Sequence, residues 1–282
     1  MKRLIRSALY VPANNARAIE KAAHLGADML VLDLEDAVGP DEKEAVRSQV
    51  PAALASWAAS GAICAVRVNG LDTQWGMSDL RAASQAQAVV LPKVDQVGNL
   101  HAARTALNAY GSSIPLWAMI ETPRGVLNVA AIAGATGTGL GGLMAGVNDL
   151  AKSLKSVTTP ERTALVPHLA QIVCAARAHN LYVLDGVYNQ FRDVEGFRVE
   201  AEQGRVLGFD GKTLIHPGQI EDTHRCFRPT VAELDRAARI VAAFTDPENA
   251  GKGVINLEGD MVERLHLDAA RALLSAGSGN DP

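Results

Sequence analysis

Aromatic side chains are scarce in this sequence: Phe, Trp and Tyr together make up 4% of its 282 residues. Aromatic and β-branched residues dominate strand-rich proteins, so this shortage, beside abundant alanine, suits a helix-rich α/β protein better than a β-sandwich. Cysteine is also rare. Cys64, Cys174 and Cys226 lie far apart with no CxxC pair, which excludes a disulfide framework or a zinc site and reads as reduced thiols of a cytoplasmic protein. No apolar run approaches the roughly 18 residues of a membrane span. The N-terminal MKRLIRSALYVPANN reaches Pro12 and Asn14 before a signal-peptide core develops. The formal net charge of −4 is spread along the chain with no long basic run, so nucleic-acid binding has no support.

What is present is an alternation. Hydrophobic residues at 48% and charged residues at 21% are ordinary for a globular protein. Short apolar strands are expected at Ser7–Val11, Met29–Leu32, Ala65–Val68, Ala88–Leu91, Leu116–Ile120, Leu143–Val147, Tyr182–Leu184 and Lys212–Ile215. Helical stretches are expected from Asn14 or Asn15 to Leu25, and over Lys43–Ala59, Pro160–His179 and Asp193–Leu207. About eight strands alternating with helices is the count that closes a parallel barrel. The fold class expected is therefore α/β, a TIM-like (β/α)8 barrel over residues 1–229. A C-terminal helical extension, 230–282, is expected to pack on the barrel or on a neighbouring subunit. It carries helices over Val231–Phe244 and Val262–Ala276 and a short apolar segment, Val254–Leu257. A doubly wound open sheet ranks below the barrel, because charged residues follow nearly every strand instead of collecting at one switch point.

The stretch Leu116–Leu150 sets the candidate chemistry. Its two strands run into Glu121 and into Asn148-Asp149. Two carboxylates at successive strand ends suit a hard dication, since Mg²⁺ takes oxygen ligands and leaves the rest of its octahedron to substrate and water. Each also has a plainer reading: Glu121 pairs with Arg124, or Asp149 begins a helix. Arg67 sits in an otherwise apolar strand, where a charge is costly unless paired. It is read as a fork gripping a substrate carboxylate, or as a structural partner of Glu35 or Asp36. Asp33, Glu35 and Asp36 form an acidic cluster that can order metal-bound water or simply line a solvated loop. Lys93 is either a Schiff-base lysine or a salt-bridge partner of these acids, and His216-Pro217 shapes a loop. Gly137, Gly139 and Gly142 spell G-x-G-x-x-G. A dinucleotide fingerprint needs a strand before it and a helix after it; here the order is reversed, and the motif is rejected.

Several of these motifs coincide with one family. SALYVPANN, VLDLEDAVGPDEKEAVR, VRVNG, LPKV, MIETPRGVLN, GVNDLAK and GFDGKTLIHPGQI resemble the citrate lyase β-subunit-like family. That family includes malyl-CoA and citramalyl-CoA lyases and lies within the wider HpcH/HpaI aldolase group. The resemblance covers nearly the whole chain, in order. It implies a TIM-like barrel, Mg²⁺ as cofactor and a homo-oligomer, a trimer or hexamer. It implies Glu121 and Asp149 as metal ligands, Arg67 as the substrate carboxylate clamp, and Glu35 and Asp36 as the acidic pair near the metal waters. Arg17 and Lys21, one turn apart, lie where the family receives coenzyme A. One position departs. In the CoA lyases an aspartate follows a Gly-x-Met-[Val/Ile] pattern in the tail and acts as acid/base in a neighbour's site. Here Gly259-Asp260-Met261-Val262 leads to Glu263, one methylene longer.

The reaction implied is Mg²⁺-dependent cleavage of a 3-hydroxy-3-carboxy acyl-CoA into a 2-oxo acid and an acyl-CoA. In it Arg67, Glu121, Asp149 and Glu263 are the catalytic residues. The alternatives are the lyase subunit of a citrate lyase complex acting on an acyl carrier protein thioester, a malyl-CoA thioesterase, and a non-catalytic homologue that binds metal and CoA.

Overall fold

The structure, a computed structural model, describes residues 3–277. Eight parallel strands close into a barrel in sequence order. They are β1 Ser7–Pro12, β2 Met29–Asp33, β3 Ile63–Arg67, β4 Ala88–Leu91, β5 Leu116–Ile120, β6 Leu140–Ala145, β7 Tyr182–Asp185 and β8 Gly211–Leu214. β1 pairs with both β2 and β8, which seals the cylinder. The open-sheet alternative is thereby excluded. The strands are short and almost wholly buried, because in a closed parallel sheet one face meets the barrel interior and the other meets helices.

The helices are α1 Ala16–Ala22, α2 Lys43–Arg47, α3 Val50–Trp57, α4 Gly76–Ala82, α5 Val97–Ala109 and α6 Pro123–Ala133. After them come α7 Val147–Leu154, α8 Val166–Ala178, α9 Val194–Leu207 and α10 Ile220–Cys226. Two cores result. Leu30, Leu32, Val66, Val89 and Leu91 face outward to the helices. Met29, Val31, Ala65, Val90, Trp117, Met119, Met144 and Leu184 fill the interior. Because side chains alternate along a strand, the interior set fixes a parity. Positions 10, 33, 67 and 121 continue it at the C-terminal ends. Asp185 and Lys212 fall on the opposite, helix-facing parity.

Several boundaries differ from those read in the sequence. The helix expected over Lys43–Ala59 is two helices, α2 and α3, with Pro51 in the first turn of the second; proline suits a helix start and breaks an interior. The sixth strand starts three residues earlier and ends two earlier than expected, so α7 begins at Val147, and Asp149, read as a possible helix start, sits in its first turn. Residues 160–165 form turns, and α8 begins at Val166. The rejected glycine motif has a packing role. Gly139 takes a left-handed φ of 69°, and a Cβ there would strike the Arg104 guanidinium, which donates to the carbonyls of Thr138 and Ile114. A Cβ on Gly142 would enter the Trp117 ring.

The chain divides into two compact units, Met1–Phe227 and Arg228–Pro282. The second contains α11 Val231–Thr245, a hairpin of β9 Val254–Leu257 and β10 Asp260–Glu263, and α12 Arg264–Gly277. Its own core joins Ala237, Ile240, Ile255, Val262, Leu267 and Ala270. Glu258 and Gly259 both have positive φ, the requirement of a two-residue hairpin turn whose twist matches its strands. That hairpin places Glu263 at the end of a strand, not inside the helix expected from Val262.

Candidate active site at the barrel mouth

The inward parity brings Tyr10, Asp33, Arg67, Met119 and Glu121 to the C-terminal mouth, the face on which loops of this architecture build active sites. There they line a cavity of about 370 Å³ together with Asp36, Asp149, Asn148, Asn189, Val187, Thr213 and Ile215. The volume is at the small end for ligand sites. Arg67 is buried, and its side edge is already occupied. Nε donates to Asp33 Oδ1 at 2.8 Å and Nη2 donates to Asp33 Oδ2 at 2.6 Å. Nη1 is left facing Asp36 Oδ2 at 3.3 Å and Glu35 Oε2 at 3.1 Å. Burial works to lower the guanidinium pKa, but the Asp33 charge and hydrogen bonds outweigh it and hold Arg67 firmly cationic.

This corrects the sequence reading on one point. The structural partner of Arg67 is above all Asp33, with Glu35 and Asp36 secondary. Asp33 occupies the Nε/Nη2 edge, which leaves Nη1 as the end of the fork not held by that pair.

The carboxylates are held differently from one another. Glu121, directly after β5, is buried at 3% exposure, and its Oε1 accepts from the Lys93 backbone N–H at 2.7 Å. Lys93 presents that N–H from a left-handed backbone, φ 50°. The other flank of Glu121 is closed by Gly146, where any Cβ would collide with the glutamate side chain. Burial, then the charge of Glu35, push the Glu121 carboxyl up to about 7 against the Lys93 N–H. Glu35 is also pushed up, first by burial, with Arg67 and Lys93 opposing. Its Oε1 accepts from Lys93 Nζ at 2.6 Å, whereas Oε2 has no hydrogen-bond donor among the described residues despite its closeness to Arg67. Lys93 Nζ also lies 3.6 Å from Asp149 Oδ2. Burial acts to lower the Lys93 pKa, but Glu35 and Glu121 outweigh it and raise it. An ammonium held this way is no amine nucleophile, so the salt-bridge reading of Lys93 fits.

A hard divalent cation fits these residues. Glu121 and Asp149 line one cavity, the donors are all oxygen, and Glu35 carries a buried oxygen with no hydrogen-bond donor. Among the described residues, no three His, Cys, Asp or Glu side chains form a closed cage, so substrate and water would complete the coordination. Arg17 and Lys21 are exposed on α1 and do not line the cavity. Glu263 belongs to the C-terminal unit, where its backbone N–H donates to His266 Nδ1 at 2.9 Å. Two contributors escaped the sequence reading. Tyr10 stacks on Arg67, and Asn189 exchanges amide hydrogen bonds with Asn148 at 2.7 and 3.2 Å. The inward parity was a usable signal for Tyr10; Asn189 had none.

Among the described residues, no helix is long and apolar enough to cross a membrane. Known proteins similar to this chain include thioesterases and citrate lyase subunits. A (3S)-malyl-CoA thioesterase of Cereibacter sphaeroides is 46% identical over 272 residues, covering 96% of this chain and 93% of that protein. The citrate lyase subunit beta of Escherichia coli is 36% identical over 279 residues, covering 96% and 92%. Among solved structures, CitE of Mycobacterium tuberculosis in complex with magnesium, acetoacetate and coenzyme A matches with a TM-score of 0.81. It is 28% identical, covering 97% of this chain and 98% of that one. A family model described as HpcH/HpaI aldolase/citrate lyase matches residues 6–217, and the chain belongs to that family.

Proposed function

We propose that this chain is a Mg²⁺-dependent enzyme acting on a 3-hydroxy-3-carboxy acyl-CoA of the malyl type, and that it hydrolyses the thioester. The observation that carries the substrate class is that the cationic Arg67, Glu121 and Asp149 line one cavity. The thioesterase relatives, more similar in sequence than the citrate lyase subunits, favour hydrolysis.

In this reading Glu121 and Asp149 hold the metal. Bound there, Mg²⁺ supplies Lewis acidity toward substrate oxygens. Arg67 receives the substrate carboxylate on Nη1, its side edge held beforehand by Asp33. Glu35 and Asp36 flank that position and accept hydrogen bonds from water or from the substrate hydroxyl. Lys93 balances Glu35 and Asp149 electrostatically. Glu263 of a neighbouring copy, in a trimer or hexamer, is the general base that takes a proton from the attacking water. Arg17 and Lys21 offer positive charge to the phosphates of coenzyme A, outside the cavity.

Carbon–carbon cleavage to a 2-oxo acid and an acyl-CoA is the second reading. The citrate lyase subunits favour it, as do solved CitE complexes with magnesium and pyruvate and a citrate lyase beta subunit with oxaloacetate. There Glu263 would deprotonate the substrate hydroxyl, and an acyl carrier protein could replace CoA. Purified protein with Mg²⁺ and malyl-, citramalyl- or citryl-CoA separates the two when thiol and 2-oxo acid are scored independently. Thiol without 2-oxo acid is the expected result. A 2-oxo acid without thiol assigns the lyase reaction, and no turnover of any thioester overturns both.

A further inference from the structure

Tyr10 occupies an inward position at the end of β1 and forms part of the cavity wall. The guanidinium carbon of Arg67 lies over its ring, 4.6 Å from the centroid. Its hydroxyl, by contrast, is weakly engaged. Among the described residues it reaches only Met119 Sδ at 3.6 Å and Met144 Sδ at 3.8 Å, and thioether sulfur is a poor acceptor. The ring rather than the hydroxyl therefore carries the contact.

Asp33 alone does not fix the guanidinium. A bidentate pair constrains one edge and leaves the plane able to tilt about that edge. A π face under the guanidinium carbon opposes that tilt, and the interaction strengthens where water is excluded. Met119 Sδ, 3.8 Å from Nη1, bounds the exposed end. Arg67 is thus held at its side edge by Asp33 and over the ring by Tyr10, while Nη1 sits among Met119, Glu35 and Asp36.

We infer that Tyr10 is a positioning residue: its ring fixes the plane of Arg67 and so sets the affinity of the site for the substrate carboxylate. This rests on Arg67 being the carboxylate-binding group of the proposed function. The chemistry asks for an electron-rich six-membered ring at position 10, with or without a hydroxyl.

The test replaces Tyr10 by Phe, then by phenylalanines bearing one, two and three ring fluorines, which drain the ring's negative face while keeping its volume. Tyr10→Phe, which removes the hydroxyl and keeps the π face, is the reference for the series. Across the fluorine series KM for the thioester should climb stepwise, by about tenfold or more in total, with kcat unchanged. A packing role would leave KM flat across the series. The second readout needs no substrate: the Nε–H of Arg67, shielded by the ring and pinned by Asp33, should give a slowly exchanging NMR signal. That signal should lose its shielding and exchange faster as fluorines are added. A flat KM with an unmoved Arg67 signal overturns the inference, as does a full loss on Tyr10→Phe alone. If the wild type turns over no thioester, the proposed function fails, and the Arg67 signal by itself decides whether Tyr10 positions the guanidinium.

Discussion

Asp33 and Arg67 are register partners on adjacent strands, and they meet edge to edge inside the barrel mouth at 2.8 and 2.6 Å. Both are buried. The pair turns a flexible cation into an oriented one before any ligand arrives, and preorganisation of this kind reduces the ordering cost of binding. It also dictates that a ligand sees one end of the guanidinium and not its side.

Breaking that pair from the acid side should be costly. Asp33→Asn removes the main charge partner of a buried guanidinium, leaving Glu35 and Asp36 at Nη1; breaking such a pair singly costs up to roughly 3–5 kcal/mol. The expected result in urea unfolding is a clear fall in midpoint, accompanied by a higher KM. The double variant Asp33→Leu/Arg67→Met should regain stability relative to Asp33→Asn while losing substrate binding. Equal stability for the two variants would show that the guanidinium left behind by Asp33→Asn carries no penalty.

Metal dependence gives a second expectation. Chelation should stop turnover and added Mg²⁺ should restore it, while circular dichroism stays unchanged, because the barrel core does not depend on the site. Glu121→Gln and Asp149→Asn should each abolish Mg²⁺-dependent activity and weaken Mg²⁺ binding in calorimetry. Normal metal affinity in Asp149→Asn would remove that residue from the ligand set.

Much of this architecture could be read from local signals. Ala88–Leu91 and Leu116–Ile120 match their expected bounds, because each is a fully buried apolar run bounded by polar, proline or charged residues. What escaped was set by distant parts of the chain. The Asp33–Arg67 pair depends on β2–β3 register, and no single segment encodes it. Glu263 was expected in a helix because the β9 partner that makes it a strand residue lies across a hairpin. The role of Lys93 in holding Glu121 depends on a positive φ at a non-glycine residue, a strained state that residue type does not announce. The carboxylates themselves were legible, since charge at the end of a buried strand is expensive without a purpose.

Gly146 offers a test of the carboxylate geometry that touches no charged group. Its missing side chain leaves the space that the Glu121 Cβ and Oε2 occupy. Gly146→Ala must push Glu121 off its Lys93 anchor, and a displacement of about 1 Å at such a centre costs on the order of 100-fold in rate. Mg²⁺ affinity should fall together with kcat, while the unfolding midpoint moves little. Unchanged metal affinity would mean that Glu121 can relax without loss.

The buried quartet behind β7 and β8 sets an acid limit on stability rather than on chemistry. Asp185 accepts from Arg162 Nη1 at 2.9 and 3.0 Å and from Lys212 Nζ at 3.1 Å, and Lys212 also donates to Glu200 at 2.7 Å. Burial would raise the Asp185 carboxyl, but the charges of Lys212 and Arg162 outweigh it and hold its pKa below the ordinary aspartate value. A carboxyl depressed in the folded state contributes stability that is complete above its unfolded pKa, about 3.9, and is lost as pH falls through the folded value. Asp185→Asn should therefore destabilise the protein by several kcal/mol at neutral pH, on the order of the 3–5 kcal/mol for a broken buried pair. The gap between wild type and variant should then narrow as the pH is lowered below about 4. Urea midpoints for both proteins across that range measure it. A gap that stays constant into strong acid would show that the effect of Asp185 comes from packing against Gly204 and not from its charge.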